Sequence, residues 1–233
     1  MMITTLPIIL DNLIEKELQS QIEDAMFDCK WTFMMDNTYA YNPKSFGIKY
    51  RKFLNPFQYD ISPSIITNLQ SNQEIFKLFF PVVKKTCNHV NFKIEKIDRC
   101  VAGIQGVQVI REKNKICNIH VNQKSPHLVL LYYVNDADGE TILFDKTIDD
   151  IQDKDKHNMY LDESYEFNAV NKILPKQGRI LLFDGRTYHS ASSPTTGIRC
   201  IITLDLFGEF LDTSYKFPDP KKKEIAKNYI SYQ

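Results

Sequence analysis

The sequence predicts an α+β fold in which helices precede an antiparallel β-sandwich or barrel. Between residues 11 and 90, apolar positions such as Ile14, Leu18 and Ile22 recur at helical spacing. From residue 92 onward, short apolar runs rich in β-branched and aromatic residues alternate with turn residues. The length of 233 residues suits one large domain, and we find no internal boundary, so we expect a single domain over residues 1–233.

The amino-terminal part predicts two helical regions. Asp11 is placed to cap a helix whose apolar stripe continues to Met26. The stretch 37–59 lacks periodicity, which favours irregular structure with short strands. Helical spacing returns over residues 63–90, where Ser71-Asn72 and Pro81 are expected to interrupt the helix.

The carboxy-terminal part predicts strands joined by turns and one long loop. Asn135 to Gly139 lie between two apolar runs and predict a hairpin turn. The polar stretch from Asp145 to Glu166 predicts either a lid or a solvated loop, and we favour the solvated loop. The lysine-rich end of the chain is typical of a solvated helix or tail.

Composition excludes several classes of protein. The chain has 29 basic and 29 acidic residues, which argues against a nucleic-acid scaffold or a polybasic membrane binder. Its five cysteines form no CxxC pair, which argues against a disulfide framework or a thiolate zinc site. The first residues lack the basic start of a signal peptide, and no run of apolar residues is long enough to span a membrane. We therefore expect a soluble, cytoplasmic protein.

Two histidines and an asparagine form a candidate metal site. His120 and Asn122 lie two residues apart, so in an extended segment both side chains project to the same face. His189 follows a later strand and can add a third donor if two sheets close face to face. Two imidazoles and one oxygen on one side of an ion leave the opposite positions open, as oxygen-activating iron(II) requires.

A second group of residues predicts a carboxylate site. Arg199 opens a strand in which alternation places Thr203 on the same face. The forked guanidinium binds carboxylates bidentately, which suits the far end of a dicarboxylic acid. Tyr133 lies in the apolar run HLVLLYYV. If the face of this strand that carries Tyr133 is the inner one, the Tyr133 hydroxyl is a further donor to the same carboxylate.

Together these residues resemble a known enzyme family. The carrying segments are HVNQKSPHLVLLYYVNDADGETILFD and LPKQGRILLFDGRTYHSASSPTTGIRCIITLDLFG. They resemble the double-stranded β-helix, or jelly roll, of the iron(II)- and 2-oxoglutarate-dependent oxygenases, in the prolyl-hydroxylase-like branch with its small viral and bacterial members. The resemblance covers about residues 92–208, and the front helices resemble the supporting helices of that branch.

The resemblance implies a function and a set of site residues. It implies a dioxygenase that uses dioxygen, converts 2-oxoglutarate to succinate and hydroxylates a C–H bond of a protein or small-molecule substrate, with prolyl side chains among the candidates. Iron(II) would be held by His120, Asn122 and His189, and 2-oxoglutarate by Arg199 with help from Tyr133 and Thr203.

One position departs from the family pattern. Asn122 stands where the family has aspartate, and a neutral amide can bind iron through its oxygen but adds no negative charge. The acids nearest in the sequence are Asp136, Asp138, Glu140 and Asp184, and we expect none of them to take the place of the aspartate. The alternative function is a catalytically inactive binding or structural module that has lost the metal carboxylate. We favour a halogenase less, because asparagine would fill the space that a halide needs. A zinc site is also less favoured, because thiolate ligands are lacking.

Overall fold

The computed structural model describes residues 4–28, 32–34, 52–54, 59–60, 70–106, 119–151, 166–192, 194–211 and 215–217. In these residues two antiparallel sheets pack face to face, and helices cover the outer face of the larger sheet. The predicted α+β class with a jelly-roll core is therefore confirmed.

The described residues form two helices and thirteen strands. The helices are α1 (Lys16–Asp28) and α2 (Gln70–His89). The strands are β1 (Thr4–Thr5), β2 (Ile8–Leu10), β3 (Thr32–Met34), β4 (Lys52–Leu54), β5 (Tyr59–Asp60), β6 (Phe92–Gly106), β7 (Leu128–Tyr133), β8 (Thr141–Thr147), β9 (Ala169–Ile173), β10 (Ile180–Asp184), β11 (Thr187–Ala191), β12 (Ile198–Phe210) and β13 (Tyr215–Lys216).

The order of the strands brings distant parts of the chain together. The larger sheet has eight strands in the order β2-β10-β7-β12-β6-β4-β3, with β5 also pairing with β6. The smaller sheet has the order β11-β8-β9, and β1 pairs with β13 in a separate parallel ribbon. Since β10 and β11 follow each other but belong to different sheets, the turn between them closes one edge of the sandwich.

Alternation along β7 shows how the sandwich divides its core. Leu130 and Tyr132 face outward into the cluster that contains the helices. Leu131 and Tyr133 face inward, where they meet Leu143 of the smaller sheet. All six residues of β7 are buried, because both faces of this strand are covered, and its sequence is therefore continuously apolar or aromatic.

The first helix begins later than its apolar pattern suggested. Ile22 and Met26 are fully buried against the larger sheet, as the spacing predicts. The expected helix cap is not seen, because the Asp11 carboxylate instead accepts two hydrogen bonds of 2.8 Å from the Arg179 guanidinium. This bond to Arg179 also lowers the pKa of Asp11. The side chain therefore ties the chain before α1 to the start of β10.

The second helix contradicts the interruption expected at Pro81. It runs without a break from Gln70 to His89, while residues 63–69, before the expected interruption at Ser71-Asn72, lie outside the described residues. Burial of Val82 and Val83 against the sheet outweighs the local cost of a proline inside a helix. In the described part of the chain, no helix combines the length and apolarity needed to cross a membrane.

The predicted polar loop begins later than expected. Strand β8 continues to Thr147 and is followed by a 3₁₀ turn (Ile148–Asp150). Ile148, which begins the turn, and Ile151, which follows it, are both buried. On the far side, the Asp145 backbone N–H donates to the Asn168 carbonyl at 3.0 Å, and its carboxylate accepts a bond of 2.7 Å from the Asn168 side chain. Residues 152–165, on which the prediction of a solvated loop falls, and the lysine-rich end lie outside the described residues.

The neighbouring residues Tyr132 and Tyr133 provide a matched test of this core. Both are fully buried, but the Tyr132 hydroxyl has no hydrogen-bond partner among the described residues, whereas the Tyr133 hydroxyl donates to Thr141 Oγ1 at 2.7 Å. We expect Tyr132→Phe to leave the free energy of unfolding unchanged or slightly higher. Tyr133→Phe should lower it by about 1 kcal/mol, since a made bond is lost. Urea denaturation of both variants measures this difference, and equal losses would contradict the hydrogen bond between Tyr133 and Thr141.

Candidate metal and co-substrate site

The two candidate ligand histidines meet across an isolated β-bridge. The His120 N–H donates to the His189 carbonyl at 3.0 Å, and the His189 N–H donates to the His120 carbonyl at 2.9 Å. Their ring centroids are 4.5 Å apart. The backbone therefore fixes the two imidazoles side by side, as the sequence predicts.

The His189 ring is prepared for metal binding. Its Nδ1 lies 2.9 Å from the Thr187 carbonyl, which can only accept, so Nδ1 carries the proton and Nε2 keeps its lone pair. Burial lowers the pKa of His189 to about 4, an effect that the negative charge of Asp205 partly opposes. The imidazole is thus neutral near pH 7, and a ligand histidine typically donates its second N–H to such a carbonyl.

Asn122 is held at both its backbone and its side chain. Its N–H donates to the Gly185 carbonyl at 3.3 Å. Its side-chain Nδ2 donates to Asp205 Oδ1 at 2.7 Å, so the amide oxygen must point the other way. Among the described residues, no group of three or more His, Cys, Asp and Glu side chains is arranged to hold a metal ion. The Asn122 oxygen remains the candidate third ligand beside His120 and His189.

The acids considered from the sequence are engaged elsewhere or lie in the turn between β7 and β8. The predicted hairpin at this turn is wrong, because β7 and β8 belong to different sheets and the chain crosses from one sheet to the other here. Asp136 accepts the N–H of Gln177, Asp138 accepts the N–H of Thr195, and Asp184 pairs with Arg186. Glu140 lies in the turn before β8, where its N–H binds the Ser192 hydroxyl. The expectation that these four acids do not replace the missing aspartate agrees with these contacts.

Asp205 is the acid that the sequence reasoning overlooked. It lies six residues after Arg199 on the same alternating face of β12 and is completely buried. Besides the bond from Asn122, its carboxylate accepts one of 3.3 Å from Gln123 Nε2 and lies 3.9 Å from His127 Nε2. The His127 ring is itself buried. The alternation that placed Thr203 beside Arg199 could have revealed Asp205 one step further along the strand.

Arg199 forms the opposite end of the site. It is 3% exposed, and its Nη2 donates to Thr141 Oγ1 at 2.6 Å. The Tyr133 hydroxyl donates to the same oxygen, and the guanidinium carbon lies 5.8 Å from the centre of the Tyr133 ring. Burial raises the pKa of Tyr133, so this phenol stays protonated and remains a donor.

Thr141 is a second residue that the sequence reasoning missed. Its hydroxyl accepts two hydrogen bonds, which occupy both lone pairs and leave its own proton to donate. Thr203 shares the inner face with Arg199 but lies four residues away, about 13 Å along an extended strand. The structure thus brings Tyr133 and Thr141 to the guanidinium and places Thr203 closer to Asp205.

Strand β8 connects the two ends of the site. Leu143 lies opposite His189 in the smaller sheet, and Thr141 lies two residues from Leu143 on the same face. The Arg199 cluster and the histidine pair are therefore separated by about 7 Å along this strand. A short dicarboxylic acid can reach from one end to the other.

Gly185 lies so close to the His127 ring that no side chain fits between them. A Cβ at this position would lie 1.8 Å from His127 Nε2, in a buried ring that also stacks on Phe207. We expect Gly185→Ala to lower the free energy of unfolding by about 1–3 kcal/mol, as overpacking does. Gly106→Ala is the matched control, since a Cβ there meets nothing within 4 Å. Thermal or urea denaturation compares the two, and equal effects would contradict the contact.

Comparison with known proteins identifies the fold. No family model and no curated protein matches the sequence. A prolyl hydroxylase from Trichoplax adhaerens, solved with a hypoxia inducible factor peptide fragment, has a TM-score of 0.54 and 16% identity, over 86% of this chain and 83% of that chain. A 2OG-Fe(II) oxygenase family oxidoreductase from Burkholderia pseudomallei has a TM-score of 0.53 and 10% identity, over 86% and 83%. HygX from Streptomyces hygroscopicus, solved with nickel, 2-oxoglutarate and hygromycin B, has a TM-score of 0.52 and 10% identity, over 90% and 85%. The chain therefore has the fold of the 2-oxoglutarate- and iron(II)-dependent oxygenases, including the prolyl hydroxylases.

Proposed function

We propose that this protein is an iron(II)- and 2-oxoglutarate-dependent dioxygenase that couples the conversion of 2-oxoglutarate to succinate with hydroxylation of a C–H bond. The observation that carries the proposal is the pairing of two groups of polar side chains between the sheets, about 7 Å apart along β8. One end holds the bridged histidines His120 and His189, and the other holds the buried Arg199 with Tyr133 and Thr141.

The donor set fits iron(II). His189 presents a neutral imidazole with its lone pair on Nε2, and His120 lies beside it. The Asn122 side-chain nitrogen binds Asp205, so the amide oxygen points away from that carboxylate. Two imidazoles and one oxygen leave positions for a co-substrate and dioxygen. Iron(II), when bound, supplies the redox chemistry that activates dioxygen.

The chain itself binds and orients the co-substrate. Arg199 is buried, so its charge acts in a medium of low dielectric constant, where a carboxylate is held more strongly than in water. Its planar fork suits bidentate binding of the distal carboxylate of 2-oxoglutarate. Thr141 holds the guanidinium and has a hydroxyl proton to donate, and Tyr133 covers its face.

The proposed substrate class is a prolyl or other side chain of a protein. The Trichoplax neighbour, solved with a peptide fragment, motivates testing this class first. The HygX neighbour, solved with hygromycin B, makes a small molecule the second class to test. We propose a cytoplasmic location, and nucleic acid is not among the proposed partners.

The neutral Asn122 favours one other function, an inactive binding or structural module. Anaerobic addition of iron(II) and 2-oxoglutarate distinguishes the two, because a chelate of both gives a metal-to-ligand charge-transfer absorption in the visible range. Succinate formation after admission of air then reports turnover. Absence of both signals would support the module.

Each histidine of the bridge should be needed for metal binding. We expect His189→Ala and His120→Ala to abolish measurable iron(II) binding while circular dichroism shows a retained fold. His89→Ala, at the exposed end of α2, is the control and should bind like the parent. If either site variant binds iron(II) as tightly as the parent, the ligand assignment is wrong.

Arg199 should matter for the co-substrate and not for the metal. We expect Arg199→Ala to weaken 2-oxoglutarate binding by about 2–5 kcal/mol, as when one partner of a buried charged pair is removed. Arg199→Lys should recover only part, because a point charge cannot form the forked contact. Calorimetric titration of 2-oxoglutarate and of iron(II) separates the two effects, and equal 2-oxoglutarate affinity in parent and alanine variant would refute the role.

A further inference from the structure

The buried carboxylate of Asp205 has a location that packing alone does not explain. It lies on the inner face of β12, opposite Val129 of β7, and is fully buried inside the sandwich. A buried carboxylate is costly unless charged or hydrogen-bonding groups compensate it. Its carboxylate accepts hydrogen bonds from the amides of Asn122 and Gln123, at 2.7 and 3.3 Å, and lies 3.9 Å from the His127 ring. Arg99 is its cross-strand neighbour on β6 and adds a positive charge on that side.

The bond from Asn122 decides which way its amide points. A carboxylate only accepts, so Nδ2 must face Asp205 and Oδ1 must face away from it. Since the Asn122 backbone is also tied to Gly185, the remaining freedom of the side chain is small. A hydrogen bond to an anion also polarises the amide and increases the negative charge on its oxygen.

The neighbouring strand supports this arrangement. The pairing of β12 with β6 shifts between Asp205 and Leu206, because Asp98 is an extra residue in β6. Gln123 Nε2 donates to Asp98 Oδ2 at 2.8 Å as well as to Asp205, so it links the two acids. Bulges of this kind often re-aim side chains beside functional sites.

We propose that Asp205 is the positioning residue of the metal site: it turns the Asn122 oxygen toward the metal and provides, from a different strand, the negative charge that asparagine lacks. This inference rests on the proposed iron function. The amide and the carboxylate together carry one negative charge, which equals the charge of a single ligand aspartate. The charge is present in the site but stands one hydrogen bond further from the ion.

A purely structural role is the competing explanation. His127 Nδ1 lies 2.7 Å from the Ser125 carbonyl, and its Nε2 faces Asp205. In this explanation the only role of Asp205 is to stabilise the buried His127 ring. Loss of the Asp205 charge would then change stability without changing the metal affinity of the folded protein. Metal affinity measured below the unfolding temperature separates the two roles.

The test is an anaerobic titration with cobalt(II), whose d–d absorption reports both affinity and coordination. We expect Asp205→Asn to weaken cobalt(II) binding about 10- to 100-fold, as the loss of an outer partner of a metal ligand does. Asp11→Asn is the control, because it removes a largely buried carboxylate that pairs with Arg179 away from the candidate ligands, and it should change stability but not metal affinity. Cobalt(II) affinity of Asp205→Asn within twofold of the parent would overturn the inference.

A charge swap protects the test against misfolding of the single variant. Asn122→Asp sets two carboxylates against each other, so the metal-free protein should lose stability and the cobalt(II) affinity should rise. The double variant Asn122→Asp with Asp205→Asn restores one amide and one acid, and it should regain the metal-free stability and bind cobalt(II) at least as tightly as the parent. Weaker binding by the double variant would overturn the inference. A parent that binds neither iron(II) nor cobalt(II) would overturn the proposed function itself.

Discussion

The site depends on the reciprocal pair of backbone hydrogen bonds between His120 and His189. The first histidine lies in a short segment before β7 and the second in β11, and these two bonds of 3.0 and 2.9 Å fix their separation. Side chains on flexible loops would have to be ordered when a metal binds, at a cost in conformational entropy. Here that ordering is part of folding, since the bridge helps to close the edge of the sandwich where β10 passes into β11.

Alternation along two strands then divides the chemistry from the support. On β7 and β12, one set of residues packs against the helices and the other faces the interior between the two sheets. Arg199 and Asp205 occupy the two ends of the lining set on β12, with Ile201 and Thr203 between them. A positive and a negative group thus lie six residues apart on the inner face of one strand, so the interior of the sandwich has an electrostatic direction from the carboxylate-binding end to the metal end.

Much of this arrangement could be predicted from the sequence, because strand periodicity and the spacing of rare polar residues are local signals. The two histidines, the arginine and the inward face of Tyr133 follow from such signals. Thr141 was missed because its role comes from contacts between strands that are distant in sequence. Alternation along β12 could have placed Asp205 on the inner face, but its bond to Asn122 joins residues 83 apart and has no local signal. The uninterrupted α2 was missed because proline carries a local penalty that only tertiary burial offsets. Asp205 also shows why a linear motif is an incomplete test, since a requirement for charge is three-dimensional and another strand can meet it.

The contact between Asp145 and Asn168 has a consequence for how this fold can vary. These two residues join the chain on both sides of residues 152–165 by a backbone bond and side-chain bonds. The entropy cost of closing a loop grows only with the logarithm of its length, and each doubling adds about 0.6 kcal/mol. Once the bonds between Asp145 and Asn168 are formed, residues can be inserted or removed between these two positions with little loss of stability of the sandwich. Evolution can therefore lengthen, shorten or replace this segment while the histidine pair and Arg199 keep their geometry.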